Sequence, residues 1–241
     1  MKHSFHILVI MTMSLFALTS CGNDEPVTPD NNEELVNAVS KEWTYYEQTP
    51  TALFVKLNSD ETVQASSLNF KKGGIVEETV WIIPKSKQVA QKKTDIAMWS
   101  LNGNQITLKD IEGNTIKTIR YNLGDNYFVV NSDVVTKYAH DTQDIYSKLI
   151  CHTWDNKDFT VSNRQQFYFN SFNNGLCSYT FFEHIFLQKY EFTWEIKGHL
   201  LYIYHDNGKK NDIYEINFLT KDYLCMTKNG YQYLSSIYND F

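Results

Sequence analysis

Proline and glycine are scarce, at four and ten in 241 residues, which rules out a collagen-like or proline-rich low-complexity chain. Positive charge is short as well. Lysine and arginine total 22 against 28 aspartate and glutamate, a formal net charge of −6. Nucleic-acid binding needs a clustered basic surface, so nucleic acid is excluded as a partner. The longest apolar run, Ile7–Leu18, has twelve residues, whereas a helix crossing a ~30 Å hydrocarbon core needs about 20. Of four cysteines no two form C-x-x-C, which argues against a zinc knuckle or a thioredoxin-type redox site. There is no G-x-S-x-G, H-E-x-x-H or P-loop, so the reactions those motifs carry find no support.

What is present begins at the N-terminus. Lys2 and His3 precede the Ile7–Leu18 run, and Leu18-Thr19-Ser20-Cys21 follows as small, small, cysteine. The run has the length and flanks of a secretory signal. The tetrapeptide resembles a bacterial lipobox. That resemblance implies cleavage before Cys21, lipid attachment at the Cys21 thiol and acylation of its new amine. Residues 1–20 are then a lipoprotein signal peptide, and 21–241 the mature chain. Losing Lys2 and no acid moves the charge from −6 to −7. Residues 21–30, with two prolines and three acids, read as a flexible tether. Asp24 and Glu25 resemble the signal that sends lipoproteins of gut-type Gram-negative bacteria to the outer face of the outer membrane. The membrane is thus an expected partner through the lipid, because two or three acyl chains anchor almost permanently.

The remainder repeats itself. Leu35, Val39 and Trp43 recur as Tyr146, Ile150 and Trp154 at a constant offset of 111. Each set follows a cap candidate, Asn32 in one copy and Asp141 or Thr142 in the other. An offset of 95 carries Trp99 to Trp194, Gly103 to Gly198, Ile106 to Leu201 and Leu108 to Ile203. Beyond Gly113 an offset of 97 places Ile119 on Ile216, Tyr121 on Phe218 and Asp125 on Asp222. The separation from Trp43 to Trp99 exceeds that from Trp154 to Trp194 by sixteen, so the first copy carries an insertion of that length. The expected domains are 31–138 and 139–241. The insertion, including Ile75 to Pro84, breaks the symmetry and is the candidate contact region, since recognition often sits on insertions. The alternative is that it lengthens strands or fills a barrel end.

Each copy is strand-rich. Tyr190, Phe192, Trp194 and Ile196 alternate with polar residues, as do Gln105–Lys109 and Tyr214–Phe218. Such alternation marks antiparallel strands with one wet face. Asn102-Gly103, Asn174-Gly175, Asn207-Gly208 and Asn229-Gly230 are spaced as hairpin turns. The predicted fold is all-β with short helices, two tandem antiparallel up-and-down meanders closing into small barrels. A short helix, a Trp opening the first strand, and a later Trp followed by Asn/Lys-Gly resemble the lipocalin-like domains of bacterial surface lipoproteins. The matching positions are Trp43, Trp99 and Gly103, then Trp154, Trp194 and Gly198. The signature glycine-x-tryptophan reads Lys41-Glu42-Trp43 and His152-Thr153-Trp154 instead. The resemblance implies a fold and a cell-surface address and carries no reaction.

No catalytic constellation emerges, and neither a metal nor a cofactor is expected. His199 and His205, six positions apart on one strand face, stand about 20 Å from each other at ~3.3 Å per residue. Cys151-His152 are adjacent with side chains pointing apart. Glu77 and Glu78 are strand neighbours that face opposite sides, read as solvated or rim-facing acids. Cys151, Cys177 and Cys225 read as small buried hydrophobes, one disulfide among them remaining open. The expected function is a non-enzymatic binding module whose barrel mouths or domain cleft hold a small apolar or glycan ligand. The alternative is a structural or accessory subunit presenting surface to a protein partner in an outer-membrane complex.

Overall fold

The computed structural model describes residues 31–48, 50–84, 89–131, 135–157, 163–181, 186–205 and 210–237. Cys21, the signal segment, the tether and Asn207-Gly208 lie outside the described residues.

Helix α1 (Asn31–Val39) leads into β1 (Glu42–Gln48), β2 (Val63–Lys71), β3 (Ile75–Ile82), β4 (Gln91–Asn102), β5 (Gln105–Lys109), β6 (Thr115–Leu123), β7 (Tyr127–Asn131) and β8 (Val135–Ala139). These eight strands pair in sequence order, and β1 closes on β8 through Thr44–Ala139 and Tyr45–Tyr138. Helix α2 (Gln143–Leu149) opens the second unit. It is followed by β9 (Thr153–Lys157), β10 (Asn163–Phe169), β11 (Asn174–Phe181), β12 (Phe186–Lys197), β13 (Leu200–His205), β14 (Lys210–Leu219), β15 (Tyr223–Lys228) and β16 (Tyr231–Ile237). Again neighbours pair antiparallel, and β16 returns to β9 through Ile237–Trp154. The chain is therefore all-β with two eight-stranded antiparallel barrels in tandem. Closure gives each of these strands a partner on both sides, which protects it from pairing with another chain. The cap of α2 is shared: Thr142 holds the N-cap position, and the Asp141 carboxylate accepts the Gln143 N–H at 3.0 Å.

The repeat is visible bond by bond. Trp43 Nε1 donates to Val39 O at 3.0 Å, and Trp154 Nε1 to Ile150 O at 2.8 Å, so each tryptophan locks its helix under its barrel. Trp99 Nε1 donates to Ile75 O at 3.0 Å and Trp194 Nε1 to Asn174 O at 3.1 Å. All four rings are buried. They anchor aromatic cores, with Trp43, Phe70, Trp99 and Phe128 linked by ring contacts in one barrel and Phe167, Phe169, Phe192 and Trp194 in the other. An eight-stranded barrel is just wide enough for such side chains to fill.

Beyond the hairpin the offset differs from the sequence expectation. Ile106 faces Ile119 and Leu201 faces Tyr214, which makes Tyr214, not Ile216, the partner of Ile119 at an unchanged offset of 95. The shift comes later and is a single residue. A bulge in β14 between Ile216 and Phe218 turns Phe218 out while Leu219 packs in the second core. The four Asn-Gly pairs also divide. Asn229-Gly230 is a two-residue turn with φ of 51° and 80°, as a primed turn requires. In the β4–β5 hairpin Gly103 and Asn104 hold the centre, with Gly103 at φ 57°. Asn174-Gly175 is no turn at all, for both residues lie in β11.

The insertion is not Ile75 to Pro84. Leu68 pairs with Glu78 and Phe167 with Cys177, the same separation of ten in both copies, so β3 has a full counterpart in β11. Instead Trp43 pairs with Leu68 at a separation of 25, where Trp154 pairs with Phe167 at 13. Twelve of the extra positions therefore lie between β1 and β2. The other four fall between β3 and β4, since Glu78 pairs with Asp95 at a separation of 17 and Cys177 with Tyr190 at 13. The longer insert forms a strap over the open end of the first barrel, where Leu53 and Val55 are buried.

Glu78 holds that strap, and it is not the solvated acid its sequence suggested. Its side chain is 0% exposed. One carboxylate oxygen accepts the Leu53 N–H at 2.6 Å, and the other accepts those of Phe54 and Val55 at 2.8 Å each. Burial nevertheless raises its pKa above the usual carboxylate range, against the three N–H bonds that lower it. Glu77, on the opposite face, pairs with Lys71 at 3.3 Å on the surface. The strap is pinned again by Lys93 to Glu61 at 2.5 Å.

Candidate functional site

The outer face of β1–β4 meets the second barrel along a seam, and the seam holds a cavity of about 310 Å3. Strand register arranges the first wall in rows. Glu42, Asn69 and Glu77 lie side by side, then Thr44, Ser67 and Thr79, then Ala65, Trp81 and Lys92. These are the outward positions of strands whose inward positions, Trp43, Leu68, Phe70, Val76 and Val80, form cores. The facing wall comes from α2, the β12–β13 turn and β14, with Tyr146, His199, Glu215, Asn217 and Phe218.

Two features fix the geometry. The ring of Trp81 sits 5.7 Å from that of Phe218 at 46°, an aromatic clasp across the seam. Phe218 reaches it because of the β14 bulge, a device that commonly re-aims side chains beside functional sites. Phe218 and Cys225 pack with the first barrel's apolar core, flanked by Tyr223 and Leu234. Asn217, the bulged residue, is held by its amide donating to Thr227 Oγ1 at 2.8 Å and to Cys225 Sγ at 3.6 Å. Thr79 is tied to Thr94 through their hydroxyls at 3.1 Å. Tyr146 is fully buried, and burial first, then Glu42, push its pKa well above the ordinary phenol value, so its hydroxyl stays protonated.

The chemistry on offer at the cleft is hydrogen bonding. Amides, hydroxyls and carboxylates face each other over a small cavity with an aromatic clasp at its edge. Such a site gives orientation through a few placed polar groups at the bottom of the size range typical of ligand clefts, ~300–1,000 Å3.

The residues singled out in sequence do not converge. His199 sits in the β12–β13 turn and lines the cleft, while His205, at the far end of β13, bonds Asp212 at 3.2 Å. Asp212 also takes Lys228 at 2.7 Å. Burial works against its charge, but Lys228 and His205 hold its pKa below the usual carboxylate range. Cys151 donates to Ser147 O at 3.2 Å, its pKa raised by burial, whereas His152 rests edge-on to Trp154. Cys151, Cys177 and Cys225 are thiols and not half-cystines, and burial lifts that of Cys225 to about 12. Among the described residues, no three His, Cys, Asp or Glu side chains gather as a metal would require.

Sequence reasoning missed the cleft wall. The available signal was Thr44, Ser67, Asn69 and Thr79, neutral polar residues at outward strand positions where long charged ones are usual. No protein family matches this chain, and no curated protein is significantly similar to it.

Proposed function

We propose that this protein is a lipid-anchored outer-membrane lipoprotein, displayed at the cell surface, whose two lipocalin-like barrels form a non-enzymatic binding module. Its ligand is a glycan, held in the cleft between the barrels. The cleft lining carries this reading. Sugar hydroxyls donate and accept at once, and the rows Glu42–Asn69–Glu77 and Thr44–Ser67–Thr79 offer both kinds of partner. Trp81 adds an aromatic surface for the C–H face of a sugar ring. An apolar ligand fits the lining poorly, because each polar group stripped of water without a partner costs about 1–3 kcal/mol. Three carboxylates, Glu42, Glu77 and Glu215, favour a neutral sugar over an anionic one.

The test is a screen of the protein against mono- and oligosaccharides, followed by calorimetric titration of any that bind. Asn69→Ala and Trp81→Ala are expected to weaken such binding at least tenfold. A screen without a binding sugar, or binding that neither variant alters, would refute the assignment.

A further inference from the structure

We infer that the outer face of β10–β13 is a second carbohydrate site, a groove that takes an extended neutral glycan chain. It goes beyond the cleft and does not depend on it. The groove encloses about 700 Å3 on the outside of the second barrel. Tyr168 on β10 forms one side and Tyr204 on β13 the other, three strand spacings apart. At ~4.8 Å per spacing that is roughly 14 Å, longer than a single sugar ring.

The fold does not require these tyrosines. By register, the first barrel carries Asn69 where the second has Tyr168, Lys109 for Tyr204 and Thr107 for Tyr202. Tyr168 is 45% exposed, so its ring adds little to a core. The far side is pre-ordered. Tyr204 and Tyr202 stack with centroids 6.4 Å apart at 13°, and the Tyr204 hydroxyl donates to Glu195. Lys197 bonds Glu195 at 2.7 Å and lies 5.2 Å from the centre of the Tyr202 ring. Rings already held in place lose less entropy when a ligand covers them.

Gly175 faces the core, where a Cβ would stand 2.2 Å from the Phe192 ring, and Leu176, its outward neighbour on β11, forms the floor. Around it Asn170, Asn174 and Thr193 supply neutral amide and hydroxyl groups, and among the described residues of the lining only Glu191 is charged. Aromatic walls, an apolar floor and neutral polar groups around it suit the alternating C–H faces and hydroxyl edges of linked sugars. Glu191 disfavours a uronic-acid or sulfated chain.

Affinity electrophoresis tests this with the full-length protein carrying Cys21→Ser, run through gels containing amylopectin, xylan, mixed-linkage β-glucan or polygalacturonate. The expected result is retardation by at least one neutral polysaccharide and none by polygalacturonate. Tyr168→Ala and Tyr204→Ala should each weaken that binding tenfold or more, and Tyr168→Phe should retain it. Leu176→Lys, which fills the floor and leaves both rings in place, should abolish it. Ile111→Ala, at an exposed turn of the first barrel outside both sites, should leave it unchanged. The assignment is overturned by no retardation in any neutral gel, by equal retardation in polygalacturonate, or by binding that survives both tyrosine-to-alanine changes. Loss on Trp81→Ala alone would move the chain to the cleft and overturn the groove.

Discussion

Replacing Glu78 with alanine should open the strap over the first barrel and leave the barrel itself folded. Three N–H groups, those of buried Leu53 and Val55 and half-buried Phe54, lose their acceptor together. At about 1–3 kcal/mol for each orphaned donor, keeping the strap closed would cost roughly 3–9 kcal/mol. Opening it instead returns those groups to water and gives up the burial of Leu53 and Val55, at about 1.5–3 kcal/mol per side chain. The chain takes the cheaper route, so a local loss of about 3–6 kcal/mol is expected. Hydrogen exchange of residues 50–58 reads it directly. Protection at the three amides should fall by two decades or more, since about 1.4 kcal/mol corresponds to each tenfold change. Protection in β9–β16 should stay unchanged. Glu78→Gln should lie between, because its amide nitrogen turns a donor toward three donors. Unaltered protection at 53–55, or equal loss in both barrels, would show that Glu78 does not hold the strap.

Other expectations rest on the same geometry. Trp99→Ala and Trp194→Ala should each destabilise their own barrel by roughly 3–5 kcal/mol, read by denaturant unfolding. Asp212 has a depressed folded pKa, so its contribution is complete above its unfolded value of about 3.9 and fades as pH falls through the folded one. Wild type should therefore lose stability relative to Asp212→Asn only below about pH 4. In Cys21→Ser protein a thiol reagent at pH 8 should leave buried Cys177 and Cys225 unmodified until unfolding, after which all three thiols react. Cys21→Ser should also release the protein from the membrane fraction, and retention there would contradict lipid attachment.

The barrels were legible in sequence because alternation reports which residues face inward, and Trp, Phe and Tyr mark those positions strongly. The same period hid the register beyond Gly113. Sliding a strand by two residues leaves every side chain on its own face, so Ile216 matched Ile119 as well as Tyr214 did. Only the β14 bulge, a backbone event without a sequence signature at Asn217, fixes the true offset. Glu78 was misread for a related reason. A carboxylate inside a strand run looks solvated until its partners are known, and its partners are the distant backbone groups of Leu53, Phe54 and Val55. The insertion was counted correctly at sixteen but misplaced, because length differences carry no position without pairing. The cleft depends on how two barrels meet, which no single copy encodes.

The most direct test of the proposed binding role is a 1H–15N spectrum of the protein titrated with a sugar found to bind. The Trp81 indole and the side-chain amides of Asn69 and Asn217 should shift together and saturate at the calorimetric affinity. If those resonances stay fixed while every binding sugar saturates elsewhere, the cleft is not the ligand site.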